Sequence, residues 1–211
     1  MDKILQWQAD ATGVFPFRAA IVSSLNGYTV GNDGTSNSLS NNTDRNFFIT
    51  LRRNSDLIIV GAETVRLEQY KMPKSSSILV VTDTGNFDSP LYQDLLAGNL
   101  ESGKVLIKTT NPTNLSKNLV EKIGIDNIYT DDFPTLISKL RNDGFNKILC
   151  EGGITLIKQL ITTKTLDELL LTLVPKFING DKTKHFDFEA NFKTQKAHPT
   201  QDALFLSLKP C

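Results

Sequence analysis

The run Lys147-Ile148-Leu149-Cys150-Glu151-Gly152-Gly153-Ile154-Thr155 sets an apolar strand against two glycines and then a helix start. Glycine has no Cβ, so the main chain can turn sharply there and let a ligand come close. The first turn of a helix leaves N–H groups unpaired, and its dipole favours negative charge. Gly152, Gly153, Ile154, Thr155 and Leu156 therefore suit a pyrophosphate, although a tight strand–helix connection with nothing bound explains this run equally well. A second junction, Leu57-Ile58-Ile59-Val60-Gly61-Ala62-Glu63-Thr64-Val65, offers two small residues for a flat ligand and the Thr64 hydroxyl for a hydrogen bond. By itself it reads first as a helix cap. A third, Val80-Val81-Thr82-Asp83-Thr84-Gly85, ends a strand in small polar groups. Ligands of open α/β sheets lie beyond the carboxyl ends of the strands, where all three junctions fall. Their agreement carries more weight than any one of them.

Other chemistries lack their residues. No G-x-G-x-x-G follows a strand, and neither G-x-x-x-x-G-K-[ST], G-x-S-x-G, H-E-x-x-H nor H-x-E with P-C-x-x-C occurs. Cys150 and Cys211 lie far apart with no metal-ligand spacing; Cys150 ends an apolar run and reads as core. The two histidines, His185 and His198, sit in a polar C-terminal part and read as surface residues before acid–base groups. Lys plus Arg equals Asp plus Glu at 23 each, so no global field draws nucleic acid or an anionic membrane. The start, MDKILQWQAD, holds no long apolar core, so neither a signal peptide nor a membrane span is expected. A reducing cytoplasm fits this cysteine usage.

These junctions need a scaffold, and the chain supplies one. At 211 residues it matches one domain with a sizeable core. Strands are expected at Phe17–Ser23, Leu57–Val60, Ser77–Thr82, Lys104–Lys108, Asn127–Tyr129 and Lys147–Cys150. Several are apolar on consecutive positions, as in strands buried on both faces of a parallel sheet. Helices are expected at Thr43–Arg53, Asn114–Ile123, Thr135–Asn142 and Ile154–Ile161. Gly31 to Asn46 reads as a long polar loop of the kind that exposes functional groups. Leu166–Val174 and Ala203–Leu208 have no helix between them and suggest antiparallel pairing at one edge.

With these residues in place, a family resemblance emerges. Phe17–Asn32 (FRAAIVSSLNGYTVGN), Leu51–Leu67 (LRRNSDLIIVGAETVRL), Glu151–Leu156 (EGGITL) and Leu166–Gly180 (LDELLLTLVPKFING) resemble the pyrimidine reductase of riboflavin biosynthesis, the RibD C-terminal domain family. The likeness covers roughly residues 15 to 210, so the whole chain, 1–211, is expected to be one reductase domain with residues 1–14 as an extension. It implies a dihydrofolate-reductase-like α/β fold: a mostly parallel central sheet flanked by helices, with antiparallel C-terminal strands. It also implies NADPH-dependent reduction of the ribosyl group of a phosphoribosylaminopyrimidine to ribityl, in a homodimer. Position by position, Val22, Thr64, Glu68, Thr84 and the Gly153 helix start match cofactor positions, beside Gly61 and Ala62. Ser36, Arg52 and Glu151 match substrate positions. A planar, permanently charged arginine, Arg52 or Arg53, would suit the substrate phosphate.

Departures fall on the substrate half. Asn26 stands where the family usually has aspartate in S-L-D-G, Ser38 where a large aromatic is common, and Leu67-Glu68-Gln69-Tyr70 replaces L-x-D-D-P. No arginine follows Thr84 to mark a 2′-phosphate pocket, so NADH stays open beside NADPH. The alternatives are a reductase of a pterin, dihydrofolate or another small carbonyl or imine, and a dinucleotide-binding protein without turnover.

Overall fold

The computed structural model describes residues 2–100 and 103–211. The chain alternates strand and helix: α1 Asp2–Leu5, β1 Arg18–Ser24, α2 Asn42–Arg53, β2 Leu57–Gly61, α3 Ala62–Leu67, β3 Ser77–Val81, α4 Pro90–Ala97 and β4 Val105–Lys108. Then come α5 Lys117–Ile123, β5 Ile128–Tyr129, α6 Phe133–Asn142, β6 Ile148–Cys150, α7 Ile154–Thr162, β7 Glu168–Val174, β8 Phe192–Pro199 and β9 Leu204–Pro210. One sheet has the order β5-β4-β3-β2-β6-β1-β7-β9-β8. It is parallel from β5 to β7; β9 runs antiparallel to β7, and β8 antiparallel to β9.

Consecutive apolar residues in the strands serve opposite faces, because strand side chains alternate. Leu57, Ile59, Ile148 and Cys150 join α6 and α7 on one face. Ile58, Val60, Ile78 and Val80 join α3, α4 and α5 on the other, where Ala20, Val22 and Leu149 meet Phe47 and Leu51 of α2. Burial pushes the Cys150 thiol up to about 12, so it stays protonated in the core. Helix starts divide into two kinds. Asn41, Ser89, Ser116 and Asp132 cap α2, α4, α5 and α6 with a side-chain oxygen. By contrast, α3 and α7 begin at Gly61 and Gly153, at strand ends and without a side-chain cap.

The structure corrects several expected elements. The helix expected from Asn114 starts at Lys117, because Pro112–Asn114 is a separate 3₁₀ turn and Ser116 caps α5. Helix α3 starts at Gly61, the junction that reads as a helix cap, and α4 occupies a stretch to which the sequence reading assigns no element. The polar C-terminal part contains β8, which forms the sheet edge. Among the described residues, no helix is long and apolar enough to cross a membrane.

Candidate active site

The two uncapped helix starts meet. Parallel pairing of β2 with β6 puts Ile59 level with Cys150, so the chain leaves both strands at one height. The Gly61 N–H donates to the Gly152 carbonyl at 2.7 Å, and the peptide between Gly152 and Gly153 is cis. A Cβ on Gly153 would come within 3.0 Å of Thr64 Oγ1, tighter than a side chain normally packs. Two backbone turns and a hydroxyl therefore enclose a cradle that only glycine leaves open. Its groups, neutral N–H donors and a helix N-terminus, are those a diphosphate requires.

This cradle borders a cleft of about 960 Å³ between β1, α2, the loop after β1 and the segment beyond α3. Val22, Ser36, Arg52, Thr64, Glu68, Glu151, Gly153 and Ile154 all line it. The remaining cofactor candidates lie elsewhere. The Gly61 and Gly152 backbones bond to each other, and Thr155 is exposed on the first turn of α7. The Ala62 side chain packs in the core, which leaves only its backbone for a ligand. Thr84 is exposed after β3, where its hydroxyl accepts the Asn86 N–H at 3.3 Å. The Leu156 side chain joins the core beneath α7, and its N–H donates to the Gly153 carbonyl.

Glu151 is the centre of the substrate half. Its side chain is 1% exposed, and its carboxylate accepts both Nε and Nη2 of Arg52 at 2.6 Å each. The Tyr70 hydroxyl donates to Glu151 Oε2, also at 2.6 Å, and the Arg52 guanidinium lies 5.0 Å above the Tyr70 ring. Burial, reinforced by the Glu151 charge, holds the Tyr70 hydroxyl well above the usual phenol range. Burial opposes the Arg52 charge, but Glu151 more than offsets it, so the guanidinium titrates higher than usual. Arg52 and Arg53, the two arginines expected to suit a substrate phosphate, differ in what holds them. Two of the three Arg52 nitrogens are engaged by Glu151, leaving Nη1, whereas the exposed Arg53 also lines the cleft.

Other groups hold the walls. Glu68 Oε1 accepts the Ser36 N–H at 2.6 Å, so this acidic residue ties down the polar loop. Ser38 donates to Asp33 at 2.5 Å within the same loop. Lys184 pairs with Glu63 of α3, and its carbonyl accepts the N–H and hydroxyl of Thr29, which links the C-terminal segment to the cleft's edge. Asn26 lies outside the cleft wall. Its amide donates to the Ile178 carbonyl at 2.7 Å and accepts from the Ser24 hydroxyl and the Ile178 N–H. His185 Nε2 lies 2.8 Å from the Asn26 carbonyl, a bond in which it donates. Sequence reasoning does not single out Tyr70 or Lys184. An aromatic ring within the polar stretch Glu68–Lys74 is the available signal for Tyr70; nothing local marks Lys184.

Known proteins resemble this chain in sequence and in fold. The RibD C-terminal domain model matches residues 18–202. A riboflavin biosynthesis protein RibD from Buchnera aphidicola is 24% identical over 207 residues; the match takes in 88% of this chain but 55% of that protein, little more than half its length. A 2,5-diamino-6-ribosylamino-4(3H)-pyrimidinone 5′-phosphate reductase from Aquifex aeolicus is 26% identical over 159 residues, covering 69% of this chain and 68% of the relative. In structure, the chain is similar to a pyrimidine reductase-like protein from Corynebacterium diphtheriae (TM-score 0.72, 22% identity, 93% and 92% of the two chains). A dihydrofolate reductase from Enterococcus faecalis shares the fold at TM-score 0.54 and 13% identity, with 92% of this chain and 96% of that one covered. A glycine cradle beside the Arg52–Glu151 pair, on a parallel sheet closed by antiparallel strands, thus comes with a family match over nearly the whole chain: it belongs to the RibD C-terminal domain family.

Proposed function

We propose that this chain reduces the ribosyl group of a 5-amino-6-(phosphoribosylamino)uracil-type pyrimidine to ribityl, using a reduced nicotinamide dinucleotide. One observation carries the reading: the uncapped Gly153 turn and the Thr64 hydroxyl beside it, and the Arg52–Glu151 pair, line the same cleft. The first suit a diphosphate, the second a polar, hydrogen-bonding substrate. Bound there, the dinucleotide supplies the hydride, which leaves the protein to orient and enclose. The backbone turns and Thr64 would hold the diphosphate, and Val22 would wall the ring side. Arg52 Nη1, Ser36 and Glu151 would hold the sugar and base, and Arg53 would meet the phosphate. No side chain need serve as a nucleophile.

NADPH is the coenzyme the family resemblance favours, and the dihydrofolate reductase of the same fold was solved with NADP(H). NADH is tested beside it. The case for binding without turnover rests on Asn26 and Ser38. Both make structural hydrogen bonds outside the Arg52–Glu151 pair, which supports an active enzyme. A homodimer is the proposed assembly, checked by light scattering.

The test is turnover. With the pyrimidine present, absorbance of the reduced coenzyme should fall; with dihydrofolate it should not. The gene should also rescue a riboflavin-requiring bacterial strain that lacks its reductase. Thermal stabilisation by coenzyme with no oxidation by any of these compounds would instead establish the binding-only reading.

A further inference from the structure

Tyr70 touches both members of the Arg52–Glu151 pair: its hydroxyl donates to the carboxylate, and its ring lies under the guanidinium. An unusual bend delivers it there. Gln69, just before it, has φ 50, in the left-handed region that side chains other than glycine enter at a cost. Such residues concentrate where surrounding structure holds a functional geometry. Here the Tyr70 N–H donates to the Val65 carbonyl at 3.1 Å, and its carbonyl accepts the Leu91 N–H at 2.8 Å, so the bend is fixed from both sides. Two positions earlier, Glu68 secures the polar loop through Ser36. One short segment after α3 therefore organises two walls of the substrate half.

We infer that Tyr70 is a positioning residue of the reduction: it locks the Arg52–Glu151 pair so that Arg52 Nη1 and the remaining lone pair on Glu151 Oε1 meet the substrate in one geometry. This rests on the reductase reading. Arg52 and Glu151 alone form a bidentate fork whose plane can rock on two flexible side chains. The Tyr70 hydroxyl takes a third direction at the carboxylate, and the ring blocks one face of the guanidinium. Its burial keeps the hydroxyl protonated, so the donor persists across the working pH range. Small displacements of positioned groups cost rate far more than they cost binding of a distant ligand.

Tyr70→Phe keeps the ring under Arg52 and removes only the donor, so the fold should persist. Turnover of the pyrimidine, as kcat/KM, should fall about tenfold, the factor one hydrogen bond to a charged group is worth. Coenzyme affinity, titrated without substrate, should stay within about twofold, because the cradle at Gly153 is untouched. A substrate-free readout keeps this separate from the reductase reading. In 15N-labelled protein, exchange of the Arg52 Nε–H with water should quicken about tenfold in Tyr70→Phe. Unchanged exchange overturns the inference whatever the wild type turns over. Equal kcat/KM in the two proteins overturns it as well, while leaving the reductase reading intact.

Discussion

Gly153 has φ -66 and ψ -169, a conformation open to any residue, so its missing side chain matters for space and not for backbone freedom. Gly152 differs: its φ of 82 excludes most side chains on conformation alone. Gly153→Val is therefore the cleaner probe. The protein should fold, since only the Thr64 hydroxyl lies within 3.0 Å of the new Cβ. Coenzyme affinity by calorimetry should drop at least about tenfold, because a filled cradle displaces the diphosphate; unchanged affinity would move the site away from this turn. Asn26 makes a second prediction. From sequence it reads as a carboxylate lost from the active site, yet its amide spans the turn after β1 and the Ile178 loop. An aspartate cannot donate to the Ile178 carbonyl and would set two acceptors face to face. Asn26→Asp should cost about 1–3 kcal/mol in urea unfolding, since a donor is lost from a partly buried bond. At this scale the sequence shows residue type but not pairing. Arg52 is recognisable as a substrate-side cation, whereas its partner lies 99 positions away, and only the fold of β6 beside α2 reveals that the fork is taken.

The elements are legible where burial disciplines them. In β2 and β3 every other apolar residue faces one of two helical layers, which produces the unbroken runs that identify parallel strands. In α7, Ile154, Ile157 and Leu160 fall on one buried face at helical spacing. Legibility fails where backbone or brevity does the organising. Strand β8 is mostly exposed and held by main-chain pairing to β9, so its residues carry no alternation to read. Its lysines, Lys193 and Lys196, are of the type that keeps an open edge from recruiting other strands. Helix α4 is only eight residues long and comes after a polar run, although its boundaries are marked by Ser89, Pro90 and the left-handed Gly98. That cap can be tested. Ser89 is buried; its hydroxyl accepts the Tyr92 N–H at 3.3 Å and donates to the Phe87 carbonyl at 2.8 Å. Ser89→Ala should lower unfolding free energy by about 1–2 kcal/mol. Coenzyme binding should not change, since α4 packs Leu91 and Leu95 on the sheet away from the cleft.

For the whole molecule, the acid–base balance of folding offers the most decisive measurement. Asp10, Asp33, Asp83, Asp132 and Asp181 all titrate below their ordinary value, chiefly because neighbouring serine and threonine hydroxyls and backbone N–H groups donate to them. Their contribution to stability is present at neutral pH and disappears as pH falls through their lowered values. Asp44 opposes them. It is buried on the first turn of α2, and Ser40 donates to Oδ2 at 2.5 Å. Burial raises its titration above the ordinary 3.8 despite the Ser40 bond. An acid raised on folding binds its proton more tightly in the native state. Its stabilisation is therefore complete below the unfolded value and is lost as pH climbs through the raised one. The wild-type curve mixes both trends, but a difference between two proteins removes the common part. Asp44→Asn keeps the shape and an acceptor, adds a donor toward Thr172 and never ionises. Its stability relative to wild type, measured by urea unfolding, should rise as pH climbs from the ordinary carboxylate value of 3.8 through the raised one and then level off. A gap that stays constant over that range would mean that Asp44 enters the folded protein no harder to ionise than it is in the unfolded chain.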